Sequence, residues 1–336
     1  MNKKLHINIF ILATLVCLVA ISLPAQAQTS ASYLYHLSNF NGPVASLWAR
    51  IAVDQQEGEI YTLNHSDSTI QIFSDTAMQT FGFGENLALA AAVDIAAGKD
   101  GEIYVLYRSP ANTVRHLDYR GELLEDIVID GRTGGLQSFS PDFVDYQAGN
   151  LYLADAKNMQ VVVASTTGDI QQTYDFRALI TAKVKAPAEG KELSPAQQLQ
   201  LRDKLKALKD ADFNGFSVDE RGNIYFTVAP IFSAYRMSPQ AELQAFGIAG
   251  GAPGKFGVVA SIEADSKGNI FVSDRLRCVV LMFDRELNFL TEFGYRGSEP
   301  QNLVVPDDIA IDERSNMIYV AQAANLGVSV FRINND

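Results

Sequence analysis

The sequence predicts an all-β fold, a six-bladed β-propeller of four-stranded antiparallel blades, and a recurring sequence motif is the main evidence. The motif centres on an aromatic residue and recurs at intervals of 43, 48, 73, 46 and 48 residues. A period of about 40 to 50 residues is typical of architectures that repeat one supersecondary unit. The short β-branched and aromatic runs around each anchor, separated by turn residues, are typical of antiparallel strands. Four such strands per repeat indicate a propeller blade. The six anchors are Tyr61, Tyr104, Tyr152, Tyr225, Phe271 and Tyr319.

Each repeat follows the same order of elements. A strand ends in an acidic residue, a short turn with Gly, Asn or Asp follows, and the strand with the aromatic anchor comes next. An acid that recurs before a turn usually accepts hydrogen bonds from the turn backbone, so we interpret these acids as structural. A helical solenoid would need apolar residues at a spacing of about 3.6, which these segments lack. The recurring acids are Asp54, Asp145, Asp219, Asp265 and Asp312.

The first 27 residues are predicted to be a secretory signal peptide. Lys3 and Lys4 precede an apolar run from Ile7 to Leu23, and residues 25–27 fit the small-x-small cleavage pattern. An uncleaved membrane anchor is the competing interpretation, and the small residues at the cleavage positions favour removal. We therefore expect one exported domain over residues 28–336, located in the periplasm or secreted.

The composition of the exported chain excludes several classes of partner. Residues 28–336 carry 25 basic and 39 acidic residues, a formal net charge of −14. This charge argues against nucleic acid or an anionic membrane as the main partner. No later segment approaches the roughly 20 apolar residues of a membrane span. Cys278 is the single remaining cysteine, so packing rather than an internal disulfide must stabilise the fold. The oligomeric state is not predicted.

The two ends of the chain predict how the ring closes. The sixth repeat has three strands, because the chain stops within five residues of Phe331. Residues 32–40 align with the fourth strand of the fifth repeat, at residues 288–294. We expect residues 32–40 to supply the missing strand of the last blade, which would remove the open edge of an unclosed ring.

The 73-residue interval contains a helical insertion, at about residues 177–212. Ser194, Pro195 and Gln197 match an N-cap serine, a proline in the first turn and a capping glutamine. An amphipathic helix needs a surface to pack on. Lying on the propeller is one interpretation, and capping the channel or gripping a partner is the other. The apolar face of the helix, which should end near Asp210, comprises Leu201, Leu205 and Leu208.

These features resemble the NHL-repeat propellers. Residues 246–256, which contain Phe-Gly and several further glycines, are similar to the start of that family's blade. Residues 151–155 with Asn158 resemble the anchor strand and the Ala-Asp that follows it, and residues 70–73 resemble the third strand. The resemblance covers about residues 32 to 333, apart from the insertion. It implies the six-bladed fold and leaves the function open, since one fold hosts many tasks.

The inter-strand loops depart from the family pattern. Such departures are compatible with a specialised surface or with relaxed sequence. The family's arginine position holds Thr69, Thr113, Gln160 and Val279, and its asparagine position holds Asp67 and Arg277.

Some propellers of this general type are enzymes, and two kinds of them need a metal site. The amidating lyase that NHL chains resemble holds zinc with several histidines, whereas the exported chain has only His36, His65 and His116, on separate elements. Lactonase-like propellers hold a cation with oxygen ligands, which suit calcium or magnesium. Asp142 and Asp307 follow prolines at inter-blade loops and are the candidate ligands for such a channel ion. No other cofactor is expected.

The remaining candidate residues lie in loops. Loops between second and third strands share one face, the loop face, with the loops that join successive blades. Several cations and an aromatic residue fall there, and arginine and aromatic residues are the usual anchors of recognition surfaces. Ordinary solvated loop charges are the competing interpretation. The candidate binding residues are Trp48, His65, Asp67, Arg108, Lys157, Arg275 and Arg277.

The leading functional prediction is an exported, non-catalytic binding or scaffold propeller. Its loop face would recognise a protein, a peptide or a glycan. The alternative is a metal-dependent hydrolase or lyase that uses calcium or magnesium at the channel mouth. A purely structural role in an envelope assembly is the third interpretation.

Overall fold

The computed structural model describes residues 29–84, 86–110, 112–129, 136–185 and 192–334. It contains six four-stranded antiparallel sheets. The innermost strand of each sheet contacts the innermost strand of the next, and the last contacts the first, so the sheets close into a ring. The predicted six-bladed propeller is confirmed. The predicted signal peptide, residues 1–27, lies outside the described residues.

The strands are numbered in chain order. The chain begins with β1 (Ser30–His36) and a short hairpin of β2 (Ser38–Asn39) and β3 (Gly42–Pro43). Blade 1 comprises β4 (Arg50–Asp54), β5 (Glu59–Asn64), β6 (Thr69–Phe73) and β7 (Gln79–Phe83). Blade 2 comprises β8 (Ala92–Ala97), β9 (Ile103–Tyr107), β10 (Thr113–Leu117) and β11 (Leu123–Val128). Blade 3 comprises β12 (Phe143–Gln147), β13 (Asn150–Asp155), β14 (Gln160–Ser165) and β15 (Ile170–Asp175).

Blade 4 comprises β16 (Gly215–Val218), β17 (Ile224–Val228), β18 (Ser233–Met237) and β19 (Leu243–Phe246). Blade 5 comprises β20 (Val259–Ala264), β21 (Ile270–Asp274), β22 (Val279–Phe283) and β23 (Phe289–Gly294). Blade 6 comprises β24 (Pro306–Asp312), β25 (Met317–Gln322), β26 (Val328–Asn334) and β1.

Hydrogen bonds around the first turn of a blade explain why the acid, the turn residues and the aromatic anchor recur together in the motif. In blade 4, one carboxylate oxygen of Asp219 accepts from the amides of Arg221 at 3.0 Å and Asn223 at 2.8 Å. The other oxygen accepts from the hydroxyl of the anchor Tyr225 at 3.0 Å. Acid, turn and aromatic anchor therefore form one unit, and the structural interpretation is supported. The corresponding carboxylates that accept from their own turns are Asp54, Asp265 and Asp312.

Asp145 accepts hydrogen bonds from backbone amides, but it does not occupy the position before the turn that the sequence predicts. Asp145 lies directly opposite the anchor Tyr152 in the β12–β13 ladder, in the middle of its strand. The turn position of blade 3, two residues further on, is held by Gln147, opposite Asn150. The sequence alignment was therefore shifted by two residues. Since side chains alternate along a strand, a shift of two keeps the face but changes the height along the channel.

The N-terminal strand closes the last blade, as predicted. β1 pairs antiparallel with β26, from Ser30 opposite Asn334 to His36 opposite Ser329. The strand is shifted relative to the predicted residues 32–40, because the chain turns after the buried Leu37. The amide of Ser38 then donates to the carbonyl of Ala77 in blade 1 at 2.9 Å. Residues 38–40 therefore link the last blade to the first instead of extending the closing strand.

The insertion forms two helices, α1 (Phe176–Lys185) and α2 (Pro195–Lys209). α2 is the predicted helix. The side chain of Ser194 accepts from the amide of Gln197 at 3.3 Å, and Gln197 accepts from the amide of Ser194 at 2.9 Å. α1 was not predicted, although Asp175 accepts from the amide of Ala178 at 2.9 Å in the manner of an N-cap.

Both helices pack on blades 3 and 4, which supports the interpretation that the insertion lies on the propeller. Phe176, Ile180 and Leu208 are buried in one apolar cluster with residues of both blades. The guanidinium of Arg177 donates to the carbonyls of Leu208 at 2.5 Å and Lys209 at 2.9 Å. These carbonyls lie in the last turn of α2, where regular helical donors end, so Arg177 fixes α2 to α1. Among the described residues no helix is long and apolar enough to span a membrane.

Removal of residues 28–37 should strongly destabilise the protein. The deletion exposes the edge of β26 and removes the buried Leu37, and we expect the thermal midpoint to fall on the order of 10 °C or more. Differential scanning calorimetry of the exported chain measures the change. Phe40→Ala serves as the control, because the side chain of Phe40 is 98% exposed and should contribute little. A deletion variant that melts like the Phe40→Ala variant would show that β1 does not hold the ring closed.

Candidate functional site: the central channel and its mouth

The register of the innermost strands places their side chains at defined heights along the channel. The residues opposite the aromatic anchors form a middle ring, and the residues two positions earlier form an upper ring nearer the loop face. Blade 4 has a glycine, Gly215, in the upper ring, and the carbonyl of Ala260 in blade 5 leaves no room for a Cβ there. The upper ring comprises Arg50, Asp94, Phe143, Gly215, Ser261 and Asp308, and the middle ring comprises Ala52, Ala96, Asp145, Ser217, Glu263 and Ala310.

A cavity of about 590 Å³ occupies the channel. Its lining extends from the upper ring to the turns that join first and second strands, so it opens on the face of those turns, the turn face. Gln56, Lys99 and Gly149 are among the lining residues at that opening. The lining contains eight acidic and two basic residues. None of the candidate residues that the sequence placed on the loop face lines this cavity.

Arg50 closes the upper end of the cavity. Its guanidinium lies 3.9 Å from a carboxylate oxygen of Asp94 and 3.7 Å from one of Asp308. It also lies 5.3 Å from the ring centre of Phe143, within the range of a cation–π contact. One cation therefore touches blades 1, 2, 3 and 6 at the axis.

The same carboxylates bind the backbone of the next blade. Asp308 accepts from the amide of Ile51 at 2.9 Å, and Asp94 accepts from the amide of Val144 at 2.8 Å. These amides face the channel, where no strand can pair with them. The carboxylates of the upper ring thus join neighbouring blades both through Arg50 and through backbone hydrogen bonds.

Burial dominates the ionisation of this cluster. It raises the pKa of Asp94 to about 7, against the opposing effect of Arg50. It raises the pKa of Asp308 for the same reason, again with Arg50 opposing. Burial alone would lower the pKa of Arg50, but the surrounding carboxylates raise it overall. Arg50 therefore stays charged, while its two partners become protonated more readily than exposed aspartates.

Two carboxylates of the middle ring have no cation beside them in the described structure. Asp145 accepts from the amides of Val218 at 2.7 Å and Tyr146 at 2.6 Å, and burial raises its pKa to about 7. For Glu263 the neighbouring amide of Ala264 is the one group that lowers the pKa of the carboxyl among the described residues. Burial and then the charge of Asp145 raise the pKa of Glu263 well above its usual value. The middle ring therefore holds two carboxyl groups without a counter-ion, and both become protonated more readily than exposed carboxyls.

The loop-face mouth contains the two predicted metal ligands, Asp142 and Asp307. Arg108 donates to Asp142 at 2.9 Å, and Arg275 forms a short ion pair with Asp307. Asp142 also accepts from the amide of Ala156 at 3.1 Å. In the part of the chain that the structure describes, no group of three or more His, Cys, Asp or Glu side chains converges as a metal site. Each predicted ligand has an arginine as its counter-ion.

His65 and Trp48 lie at the same mouth. Burial and the charge of Arg50 lower the pKa of His65, and Asp307 opposes this effect. The indole of Trp48 lies 5.8 Å from the guanidinium of Arg275. Trp48 has a φ of 57°, a left-handed conformation that is strained for a large side chain. Such strain persists only where the surroundings enforce it and is common at functional sites.

The other three candidate residues have local roles. Asp67 accepts from the amide and hydroxyl of Thr69, at 3.2 Å and 2.6 Å. The carbonyl of Lys157 accepts from Arg177 at 2.7 Å. Arg277 makes a bidentate, largely buried ion pair with Glu292, at 2.8 Å and 2.5 Å. Arg277 therefore stabilises blade 5 internally, although it lies only two residues from Arg275.

Sequence reasoning missed an apolar surface beside the mouth, which we call the apolar rim. Its side chains are between 36% and 62% exposed. The loops that carry them touch one another. The amide of Arg275 donates to the carbonyl of Val258 at 2.8 Å, Trp48 contacts Arg275, and Gly327 packs closely on the carbonyl of Val44. The apolar rim comprises Leu47, Trp48, Val258, Leu276 and Leu326.

Sequence reasoning also missed the channel cluster of Arg50, Asp94, Glu263 and Asp308. The signal was present in the spacing of each first strand relative to its aromatic anchor. Counting back 11 residues from the anchors aligns Arg50 with Asp308, but Asp94 lies 10 residues before Tyr104, because the first turn of blade 2 is one residue shorter. The positions of Leu276 and Leu326 in corresponding loops carried no such signal, because their proximity depends on how the loops fold.

Several solved structures resemble this fold at low sequence identity. A streptogramin B lyase shares 12% identity, with 91% of this chain and 97% of that chain covered and a TM-score of 0.57. A gluconolactonase from Xanthomonas campestris shares 12% identity over 92% of each chain, with a TM-score of 0.57. A structural genomics protein of unknown function from Bacteroides thetaiotaomicron shares 11% identity, with 91% of this chain and 77% of that chain covered and a TM-score of 0.62. No family model and no curated protein matches the chain. These likenesses show the propeller fold alone.

Replacing Arg50 with glutamine should destabilise the protein in a pH-dependent manner. The variant leaves Asp94 and Asp308 buried without a cation, and removal of one partner from a buried pair costs on the order of 3 to 5 kcal/mol. A carboxyl whose pKa is raised in the fold loses stability as the pH rises through that value. We therefore expect a larger loss at pH 8 than at pH 5.5, measured by urea denaturation.

The matched control for Arg50→Gln is Arg285→Gln. Arg285 lies 3.9 Å from Glu286, and both side chains are more than half exposed. Surface pairs of this kind contribute about 0 to 1 kcal/mol. Equal effects of the two substitutions would contradict the role assigned to Arg50.

Proposed function

We propose that the protein is an exported, non-catalytic binding module whose loop face recognises a protein or peptide. The apolar rim, which includes Trp48 and lies beside Arg275, is the observation that carries this proposal. Exposed apolar patches bordered by polar residues often mark sites of protein interaction. Tryptophan and arginine are enriched among the residues that dominate binding energy.

The composition of the rim favours a protein or peptide over a glycan. Leu276 and Leu326 offer aliphatic surface, which pairs with apolar side chains of a partner. A sugar would need several free hydrogen-bonding groups around the aromatic ring. The arginines of the mouth, Arg108 and Arg275, already engage Asp142 and Asp307. The partner is therefore expected to insert an apolar side chain next to Trp48.

Two further assignments belong to this proposal. The repeats are of the NHL type, an inference supported by the recurring sequence motif around each aromatic anchor and by the hydrogen-bonded unit of acid, turn and tyrosine in blade 4. The chain is exported to the periplasm or beyond after cleavage behind Ala27, an inference supported by the apolar run before it. The mass of the exported protein should then correspond to residues 28–336.

The geometry gives less support to the metal-dependent hydrolase or lyase. A divalent cation shared by Asp142 and Asp307 would compete with Arg108 and Arg275 and would face the charge of Arg50. The positive charge of Arg50 would repel a divalent cation bound there. Bound calcium or magnesium would raise the thermal midpoint, so an unchanged midpoint in millimolar calcium would count against this alternative.

A photo-crosslinking residue at position 276 should capture the partner in the native envelope fraction. The same residue at position 290 is the control, because Leu290 is exposed on β23 of the same blade, away from the mouth. With the purified partner, Trp48→Ala and Leu276→Ser should each weaken binding about tenfold or more, as expected for central contact residues. Leu290→Ser should leave the affinity unchanged. Equal affinities for all four proteins would remove the loop face as the binding surface.

A further inference from the structure

We propose that the channel cavity is a second binding site, open on the turn face, for a small organic cation of the aliphatic amine class. Glu263 and Asp145 would receive the ammonium group. This inference goes beyond the proposed function, because the site lies on the other side of Arg50 from the loop-face mouth.

Charge balance in the cavity is the first argument. Four of the eight acidic lining residues are held by their own turns or by Arg50. Asp54 and Asp219 accept from their own turns, and Asp94 and Asp308 share Arg50. Asp145 accepts from two amides but has no cation, and Glu263 has neither a cation nor an amide from another blade. Both side chains are half-buried at the cavity wall, so each carboxylate loses part of its hydration without gaining a cation, and a bound cation would compensate for that loss.

The fold itself does not require a carboxylate at position 263. Four of the six residues of the middle ring are alanine or serine, namely Ala52, Ala96, Ala310 and Ser217. Asp145 holds the amide of the next blade. Glu263 performs no such task in the described structure. Its carboxylate is therefore available for a ligand.

The shape and lining of the cavity favour an organic cation over a metal ion. Its volume of about 590 Å³ lies in the range of small-molecule sites. Phe143 and Phe216 contribute aromatic surface, which suits the alkyl chain and the ammonium group of an amine. In the described part of the chain no three carboxylates converge closely enough to hold a metal. An ammonium group, with three donors, needs fewer converging ligands.

The charges along the cavity also determine the orientation of such a ligand. Arg50 at the upper end would repel the ammonium group, so it should stop at the middle ring. The alkyl chain would then extend toward the turn face. Glu220 and Glu313 line that opening, so a second ammonium group would find a further acidic region there. A diamine or a polyamine fits this arrangement better than a monoamine.

Binding should depend on pH, because the acidic groups must be ionised. Burial raises the pKa values of both Glu263 and Asp145, the latter to about 7. Below about pH 7 Asp145 holds a proton, and protonation of either carboxyl removes its attraction for an amine. The titratable and charged groups that face Glu263 and the cavity are Arg50, Asp94, Asp145 and Asp308 in the channel and Lys99, Asp219, Glu220 and Glu313 at its opening.

Isothermal titration of the dialysed, exported protein with spermidine and with putrescine tests the proposal. We expect saturable binding at pH 8, weaker binding at pH 6 and a rise in thermal midpoint with added amine. The neutral analogue 1,4-butanediol should not bind. Absence of amine binding at millimolar concentration, or equal binding of the diol, would overturn the proposal.

Glu263→Gln separates the site from general charge attraction. The variant should bind spermidine about tenfold or more weakly, whereas Glu286→Gln, the same charge change at an exposed turn of blade 5, should bind it normally. Without amine, Glu263→Gln should melt at a higher temperature than the wild type at pH 8, because a raised pKa makes the ionised carboxyl destabilising. This measurement also shows that the variant folds. Asp145→Asn should weaken amine binding as well.

The outcome is independent of the loop-face proposal. Leu276→Ser alters the apolar rim and should leave spermidine binding unchanged. If Glu263→Gln and Glu286→Gln lose affinity equally, the amine is held by the overall negative charge and the channel site is refuted.

Discussion

The innermost strand of each blade has one edge without a strand partner, and this constraint shapes the centre of the molecule. Backbone amides on that edge need acceptors from elsewhere, since an unpaired buried amide is costly. Carboxylates of the preceding blade supply them, from Asp308 to Ile51, from Asp94 to Val144 and from Asp145 to Val218. Each of these bonds crosses a blade boundary. The contacts that satisfy the amides therefore also hold the ring together at its axis.

Acceptors of this kind bring negative charge into the channel, and Arg50 balances only part of it. Its position between Asp94 and Asp308 divides the channel into two environments. On the loop-face side, arginines compensate Asp142 and Asp307, and the apolar rim lies beside the mouth. On the turn-face side, Glu263 and Asp145 leave an acidic cavity. The two sides therefore differ in chemistry, one with paired charges and apolar side chains and the other acidic.

Prediction from the sequence succeeded where the signal is local. The six anchors and the capped helix α2 each depend on a short pattern whose physics operates within a few residues. The closing strand was inferred from the strand missing in the last repeat, and its residues are shifted from the predicted 32–40 to 30–36. It failed where proximity depends on register or on loop conformation. Asp145 resembles the turn acids but lies two residues away from their position. Arg275 and Arg277 appear equivalent in sequence, yet one pairs with Asp307 at the mouth and the other with Glu292 inside blade 5.

The sequence by itself determined the number of blades, the order of strands within them and the closure of the ring by the N-terminal segment. These follow from periodicity and turn chemistry, which are properties of contiguous residues. Only the tertiary structure decided which side chains meet at the axis and which loops form the apolar rim. Closing the ring brings together residues far apart in sequence, such as Arg50 and Asp308, and the height of each side chain along the channel depends on strand register. No short segment contains that information.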